Sequence, residues 1–139
     1  FLRVQKDDDI KTRLWHKLAI NCAINPLTAL LGCRNGELLD LPGERRVLRI
    51  ICEEAAQVMA AEGIIGDAEE LYARVCIIIE ATADNYSSML QDLRAGRSTE
   101  IDYLNGYLLR QGAAHGIPLP CNTLLLDMIR LRQRMSQPF

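Results

Sequence analysis

The chain has 139 residues, 49% of them hydrophobic and 24% charged, with a formal net charge of −2. That length suits one domain with a real apolar core, and the mixing of acidic and basic residues leaves no basic stripe for a nucleic acid and no acidic tail. No run approaches the roughly 18 to 20 uncharged apolar residues of a membrane span, and no signal peptide opens the chain.

Five cysteines, Cys22, Cys33, Cys52, Cys76 and Cys121, form an odd set with no C-x-x-C pair, each in an apolar setting that reads as packing. A reducing, cytoplasmic compartment is expected on that ground. The chain opens on Phe1-Leu2-Arg3-Val4 in a strand-like alternation, and charged Lys6-Asp7-Asp8-Asp9 follows. Starting without Met, it reads as a piece cut from a longer polypeptide.

After these residues apolar positions recur at helical spacing almost everywhere, so the expected fold is all-α. The first helix is expected to start near Asp9, capped by that carboxylate, and to run through Leu14, Trp15, Leu18 and Ile20 to a stop near Gly32. Pro26 removes a donor to the carbonyl of Cys22 and crowds the preceding turn, which predicts a bend. A second helix is expected over roughly Glu44 to Glu62, burying Val47, Leu48, Ile51, Ala55, Val58 and Met59, with Gly63 as its stop.

Asp67 and Glu70 make a D-x-x-E entry to a third helix that buries Leu71, Val75, Ile78 and Ile79 up to about Ala83. Ser88-x-x-Gln91 opens a short segment ending near Gly96, and Thr99-x-x-Asp102 opens a helix through Leu104, Tyr107 and Leu108 to about His115. Pro118 and Pro120 enforce an extended approach to a last amphipathic helix on Leu124, Leu125, Met128, Leu131 and Met135.

The most informative stretch is Lys17-Leu18-Ala19-Ile20-Asn21-Cys22-Ala23-Ile24-Asn25-Pro26, an apolar run broken by two asparagines. Lys17, Asn21 and Asn25 stand at successive i, i+4 positions, a row of about 12 Å along one helix face on which a small polar ligand fits. In the plainer alternative both amides bond to neighbouring helices or to backbone freed by Pro26, and Lys17 reaches out to water. Ser88-Met89-Leu90-Gln91 places a hydroxyl and free N–H groups at a helix start, which suits a carboxylate or phosphate, or simple capping. Glu100 likewise either serves a ligand or favours the positive end of the helix it begins.

Arg130, Arg132 and Arg134 read as a solvated helix face, and His16 and His115 form no metal pattern with the cysteines. Gly32 and Gly36 stand alone, so no G-x-G-x-x-G or G-x-x-x-x-G-K loop is present to cradle a dinucleotide.

Taken together, Trp15-x-Lys17-Leu18-x-x-Asn21-x-x-x-Asn25-Pro26-Leu27-Thr28-Ala29-Leu30 resembles the opening helix of the ketopantoate reductase C-terminal domain. The resemblance continues in order and spacing through Asn35-Gly36-Glu37-Leu38, Ser87-Ser88-Met89-Leu90-Gln91-Asp92, Arg97-x-Thr99-Glu100-Ile101-Asp102-Tyr103-x-Asn105-Gly106 and His115-Gly116-Ile117-x-x-Pro120-x-Asn122. It covers about Asp9 to Arg130.

That resemblance implies an NADPH-dependent 2-dehydropantoate 2-reductase, which reduces ketopantoate to D-pantoate on the route to pantothenate and coenzyme A. The nucleotide would sit on an N-terminal Rossmann domain outside this chain. Residues 1–139 would be the helical substrate domain, similar to that of 6-phosphogluconate dehydrogenase relatives. By resemblance Lys17 matches the catalytic lysine; Asn21, Asn25, Asn35 and Ser88 match substrate-binding positions; the backbone of Met89, Leu90 and Gln91 shares in substrate contact; and Glu100 faces cofactor and substrate. The isolated chain would be inactive, and a homodimer is left open. Competing with this are a stand-alone helical dimerisation or interaction module, a domain for a related 2-oxo acid, and, least supported, a nucleic-acid binder on the arginine-rich end.

Overall fold

The structure, a computed structural model, describes residues 2–136, with side chains described for residues 9–135. Among the described residues there are six α-helices and no strand: α1 (Leu2–Leu31), α2 (Glu44–Ala61), α3 (Ala68–Ala81), α4 (Ser88–Arg94), α5 (Asn105–Ala114) and α6 (Pro120–Ser136), with a short 3₁₀ helix at Asn35–Leu39. The all-α expectation holds. No helix among the described residues is long and apolar enough to cross a membrane.

α1 is the axis, and α2, α3, α4 and α6 all pack against it. Its buried positions include Ala19, Cys22, Ala23 and Ala29, small residues that let neighbouring backbones come close, and Trp15, which meets Tyr107 of α5 at 5.9 Å between ring centroids. α2 buries Leu48, Ile51, Cys52, Ala55, Val58 and Met59, a stripe at helical spacing, and ends as Gly63 takes a φ of +84°. Leu48, Ile51, Val58, Val75, Ile79, Leu108 and Ile129 are fully shielded from solvent. Each such side chain contributes about 1.5 to 3 kcal/mol relative to exposure.

Several expectations are corrected. Leu2 to Val4 belong to α1 and not to a strand, because a four-residue alternation is too short to resist extension of an adjoining helix; Phe1 lies outside the described residues. Asp9 is therefore inside α1 and cannot cap it. The helix is continuous through Pro26, and the Cys22 carbonyl left without its helical donor takes one from Asn105. Val47 and Ile78 face solvent.

α4 is capped by Ser87, not Ser88: Ser87 Oγ accepts from Leu90 N at 3.2 Å. α5 starts later than expected, at Asn105, because Thr99 is drawn to Gln133 of α6, to which its N–H donates at 2.8 Å. On α6 the buried stripe is Asn122, Leu125, Leu126 and Ile129, whereas Leu124, Met128, Leu131 and Met135 are exposed. Two stripes of similar spacing compete there, and the one carrying a polar residue is the one inside.

Candidate functional site

Lys17, Asn21 and Asn25 occupy consecutive turns of α1, Lys17 exposed and both asparagines half-buried. Among the described residues their side chains make no hydrogen bond and no ion pair. The carbonyl that Pro26 leaves without its helical donor is claimed by neither of them. Asn105 Nδ2 donates to Cys22 O at 3.2 Å, from the first residue of α5.

Asn105 is fully buried, and its amide also donates to Asn122 Oδ1 at 2.9 Å. Asn122, equally buried, donates through Nδ2 to Glu54 Oε2 at 2.7 Å. Glu54 of α2, 6% exposed, accepts in addition from the N–H groups of Cys121 at 2.6 Å and Asn122 at 2.9 Å, so its charge sits at the start of α6 where the helix dipole favours an anion. Asn105 and Asn122 stand in the sequence blocks that carry the resemblance, but neither they nor Glu54 received a role from sequence. The available cue was a charge on the apolar stripe of α2, three residues after Ile51 and four before Val58.

Ser88 is exposed at the first position of α4. Of the amides that follow, Leu90 N–H is taken by Ser87 Oγ and Gln91 N–H by Ser87 O at 3.1 Å, while Gln91 Nε2 donates to Tyr86 O at 3.0 Å. Among the described residues, Ser88 and Met89 retain free N–H groups. The Met89 and Leu90 side chains are buried in the core. Tyr86, just before this turn, lies between two guanidinium groups, Arg34 at 5.2 Å and Arg94 at 4.7 Å from its ring. The hydrogen bond and charge of Arg34 hold its phenol below the ordinary tyrosine range.

The start of α4 is tied to α1 by a 2.7 Å hydrogen bond between the hydroxyls of Thr28 and Ser87, one turn beyond Asn25. Asn35 joins the same end of the fold: its N–H donates to Asn85 O at 2.9 Å, and its Nδ2 to Thr82 Oγ1 at 2.9 Å, leaving Oδ1 buried and without a partner among the described residues. These bonds tie together the chain segments that carry Asn25, Asn35 and Ser88. Glu100 is exposed in the loop before α5, and its carboxylate is unpaired among the described residues, with no hydrogen bond or ion pair to Lys17. Cavities of about 420 Å³ and 310 Å³ are lined by other residues, the first by Leu14, Trp15, Leu18 and Tyr107 with Lys11 and Glu62 at its edge.

Among the described residues no three His, Cys, Asp or Glu side chains cluster as metal ligands. The buried thiols are shielded too: burial raises that of Cys22, and burial beside Cys76 pushes Cys52 up to about 12.

The family described as "Ketopantoate reductase PanE/ApbA C terminal" matches residues 9–133. A 2-dehydropantoate 2-reductase of Shigella flexneri is 52% identical over 126 residues, covering 91% of this chain and 41% of its own length. One from Archaeoglobus fulgidus is 40% identical, covering 93% of this chain and 43% of its own length. Among solved structures, a PanE/ApbA family ketopantoate reductase from Ralstonia eutropha superposes with a TM-score of 0.85 at 37% identity, over 93% of this chain and 43% of that one. A D-mandelate dehydrogenase bound to NADH and anilino(oxo)acetate gives a TM-score of 0.87 at 29% identity, over 93% of this chain and 54% of that one. The chain thus spans about two-fifths of the length of the curated relatives it matches first. With the family match running through nearly every helix and the fold agreeing, this chain belongs to the ketopantoate reductase C-terminal domain family.

Proposed function

We propose that this chain is the substrate-facing domain of a 2-dehydropantoate 2-reductase, contributing the proton donor and most of the substrate contacts for reduction of ketopantoate to D-pantoate. The observation that carries the reading is the row on α1: one exposed ammonium, then two amides a turn apart, all without protein partners among the described residues. Leaving half-buried amides unpaired costs stability, which a ligand's carboxylate and hydroxyl groups would restore.

NADPH, held mainly by an N-terminal Rossmann domain outside this chain, would supply hydride to the ketone carbon. The donors and acceptors of this chain fit only its reactive end, since the sequence holds no phosphate-cradling loop and Glu100 offers an unpaired, exposed carboxylate for hydroxyl or amide donors. Lys17 would place its ammonium against the carbonyl oxygen, stabilise the charge that gathers there and hand over a proton. Asn21 and Asn25 would hold the substrate without adding like charge. Ser88, with the free N–H groups of Ser88 and Met89, would receive the carboxylate, and Asn35 Oδ1 would be the buried acceptor nearby.

Ketopantoate reduction by the full-length protein with NADPH tests the reading, with residues 1–139 alone inactive. A full-length enzyme that ignores ketopantoate would overturn it. The similarity to D-mandelate dehydrogenase favours a second reading, a domain for another 2-oxo acid. Faster turnover of the 2-oxo acid corresponding to mandelate would select it.

A further inference from the structure

We infer that Asn105 is a positioning residue for the substrate row of α1, oriented by a buried chain of hydrogen bonds that begins at the carboxylate of Glu54. The inference rests on the proposed reductase reading, because it assigns Asn21 and Asn25 to substrate.

The polarity of the chain follows from its charged end. Glu54 offers only acceptors when ionised, so Asn122 must turn its NH₂ group toward it, at 2.7 Å. The carbonyl oxygen of Asn122 then faces the other way, and Asn105 must meet it with NH₂, at 2.9 Å. The second hydrogen of that NH₂ reaches Cys22 O at 3.2 Å. A flip of either amide would set acceptor against acceptor in a buried site, which the low local polarity makes costly.

The end point is what gives the chain its purpose. Cys22 follows Asn21, and its carbonyl is the one that residue 26 would ordinarily bond; because residue 26 is proline, it stays free for a donor from another helix. Pro26 follows Asn25. The bond from Asn105 therefore grips the turn of α1 between the two substrate asparagines, and α2, α6 and α5 together set where that turn lies. A misplacement of about 1 Å at such a site is enough to cost roughly a hundredfold in rate or affinity.

The test is steady-state kinetics on the full-length enzyme, with the melting temperature measured alongside. Asn105→Leu removes both donors at similar volume. It is expected to raise KM for ketopantoate about tenfold, with KM for NADPH and the pH profile of kcat unchanged. Adding Pro26→Ala restores an N–H to Cys22 O from within α1, so the double variant should recover at least about threefold of that KM. A folded Asn105→Leu enzyme with wild-type KM for ketopantoate would overturn the inference. So would equal losses for both substrates with no recovery from Pro26→Ala, since Asn105 would then serve core stability alone.

If Asn105→Leu does not fold, Pro26→Ala decides by itself. Its new donor competes for Cys22 O and should raise KM for ketopantoate about twofold or more at constant kcat; an unchanged KM sinks the idea. Failure of the reductase reading looks different: the unmodified enzyme would not reduce ketopantoate, and both proposals would fall together.

Discussion

Thr28 and Ser87, 59 residues apart, share a buried hydrogen bond of 2.7 Å. Ser87 Oγ also accepts from Leu90 N, and Thr28 Oγ1 lies 3.0 Å from Ile24 O and 3.1 Å from Asn25 O. One pair of hydroxyls thus joins the cap of α4 to the carbonyls of α1 beside Pro26, and it sets how the free N–H groups of Ser88 and Met89 stand relative to the asparagine row.

Thr28→Val keeps the shape and removes the hydroxyl. It is expected to destabilise the protein by about 1 to 3 kcal/mol, since Ser87 keeps a buried polar group with one partner fewer. Ser87→Ala should cost about 0.5 to 2 kcal/mol as a lost cap. Because the two residues share one bond, the double variant should lose less than the sum, as read by denaturant unfolding of all four proteins. Strict additivity would deny the coupling.

Lys17→Ala in the full-length enzyme is expected to lower kcat by about two to four orders of magnitude, the usual loss on removing a general acid. KM for NADPH should hold. Retained turnover would take Lys17 out of the proton-donor role and leave the asparagine row as a binding feature alone.

The cysteines predict a decline in stability in alkali. In the folded chain burial raises the thiol of Cys22 and pushes that of Cys52 up to about 12, whereas an unfolded thiol ionises near about 8.5. Below the unfolded value both states are protonated and the contribution is complete. Above it the unfolded chain loses protons that the folded chain keeps, so stability falls as pH rises toward the folded value, by at most about 1.4 kcal/mol per pH unit for each thiol. Urea midpoints compared at about pH 8 and pH 10.5 should show this fall, and a shallower one in Cys52→Ala. The same slope in both proteins would refute the assignment to Cys52.

Gly36→Ala should disturb Asn35. A Cβ at Gly36 would stand 2.7 Å from Ala83 Cβ and 3.0 Å from Ala83 Cα, too close for any real contact, so the 3₁₀ helix or the end of α3 must move. The expected cost is about 1 to 3 kcal/mol of stability, accompanied by weaker substrate binding as Asn35 leaves Thr82. Calorimetry of the variant checks the first, and KM the second. A variant as stable as the parent would show that the backbone yields without strain.

What could be read from sequence was what is local. Asp67 caps α3 by accepting from Glu70 N at 2.9 Å, as the D-x-x-E spacing implies, and Gly63 ends α2. The loss of a donor to Cys22 O at Pro26 was equally legible, because it follows from proline alone. What answers it was not, since Asn105 lies 83 residues away and no periodicity links the two. The choice between Ser87 and Ser88 as the cap of α4 is of the same kind: both have a serine hydroxyl, and contact with Thr28 decides. On α6 the rule that apolar stripes go inside picks Leu124, Leu125, Met128, Leu131 and Met135; of these only Leu125 is buried, and Asn122 is inside with it because Glu54 and Asn105 satisfy its amide. The role of each residue around Lys17 came from family resemblance rather than from spacing, which by itself favoured brace over ligand.

Trp15 is the single tryptophan of the chain, 7% exposed, and its ring leans on Tyr107 at the junction of α1 with α5. It sits half a turn before Lys17 on the same helix, while Tyr107 stands two residues after Asn105. Indole fluorescence from this position would report movement between the segment carrying the ammonium and the segment that steadies the asparagines, giving the domain an optical gauge of its own without any attached dye.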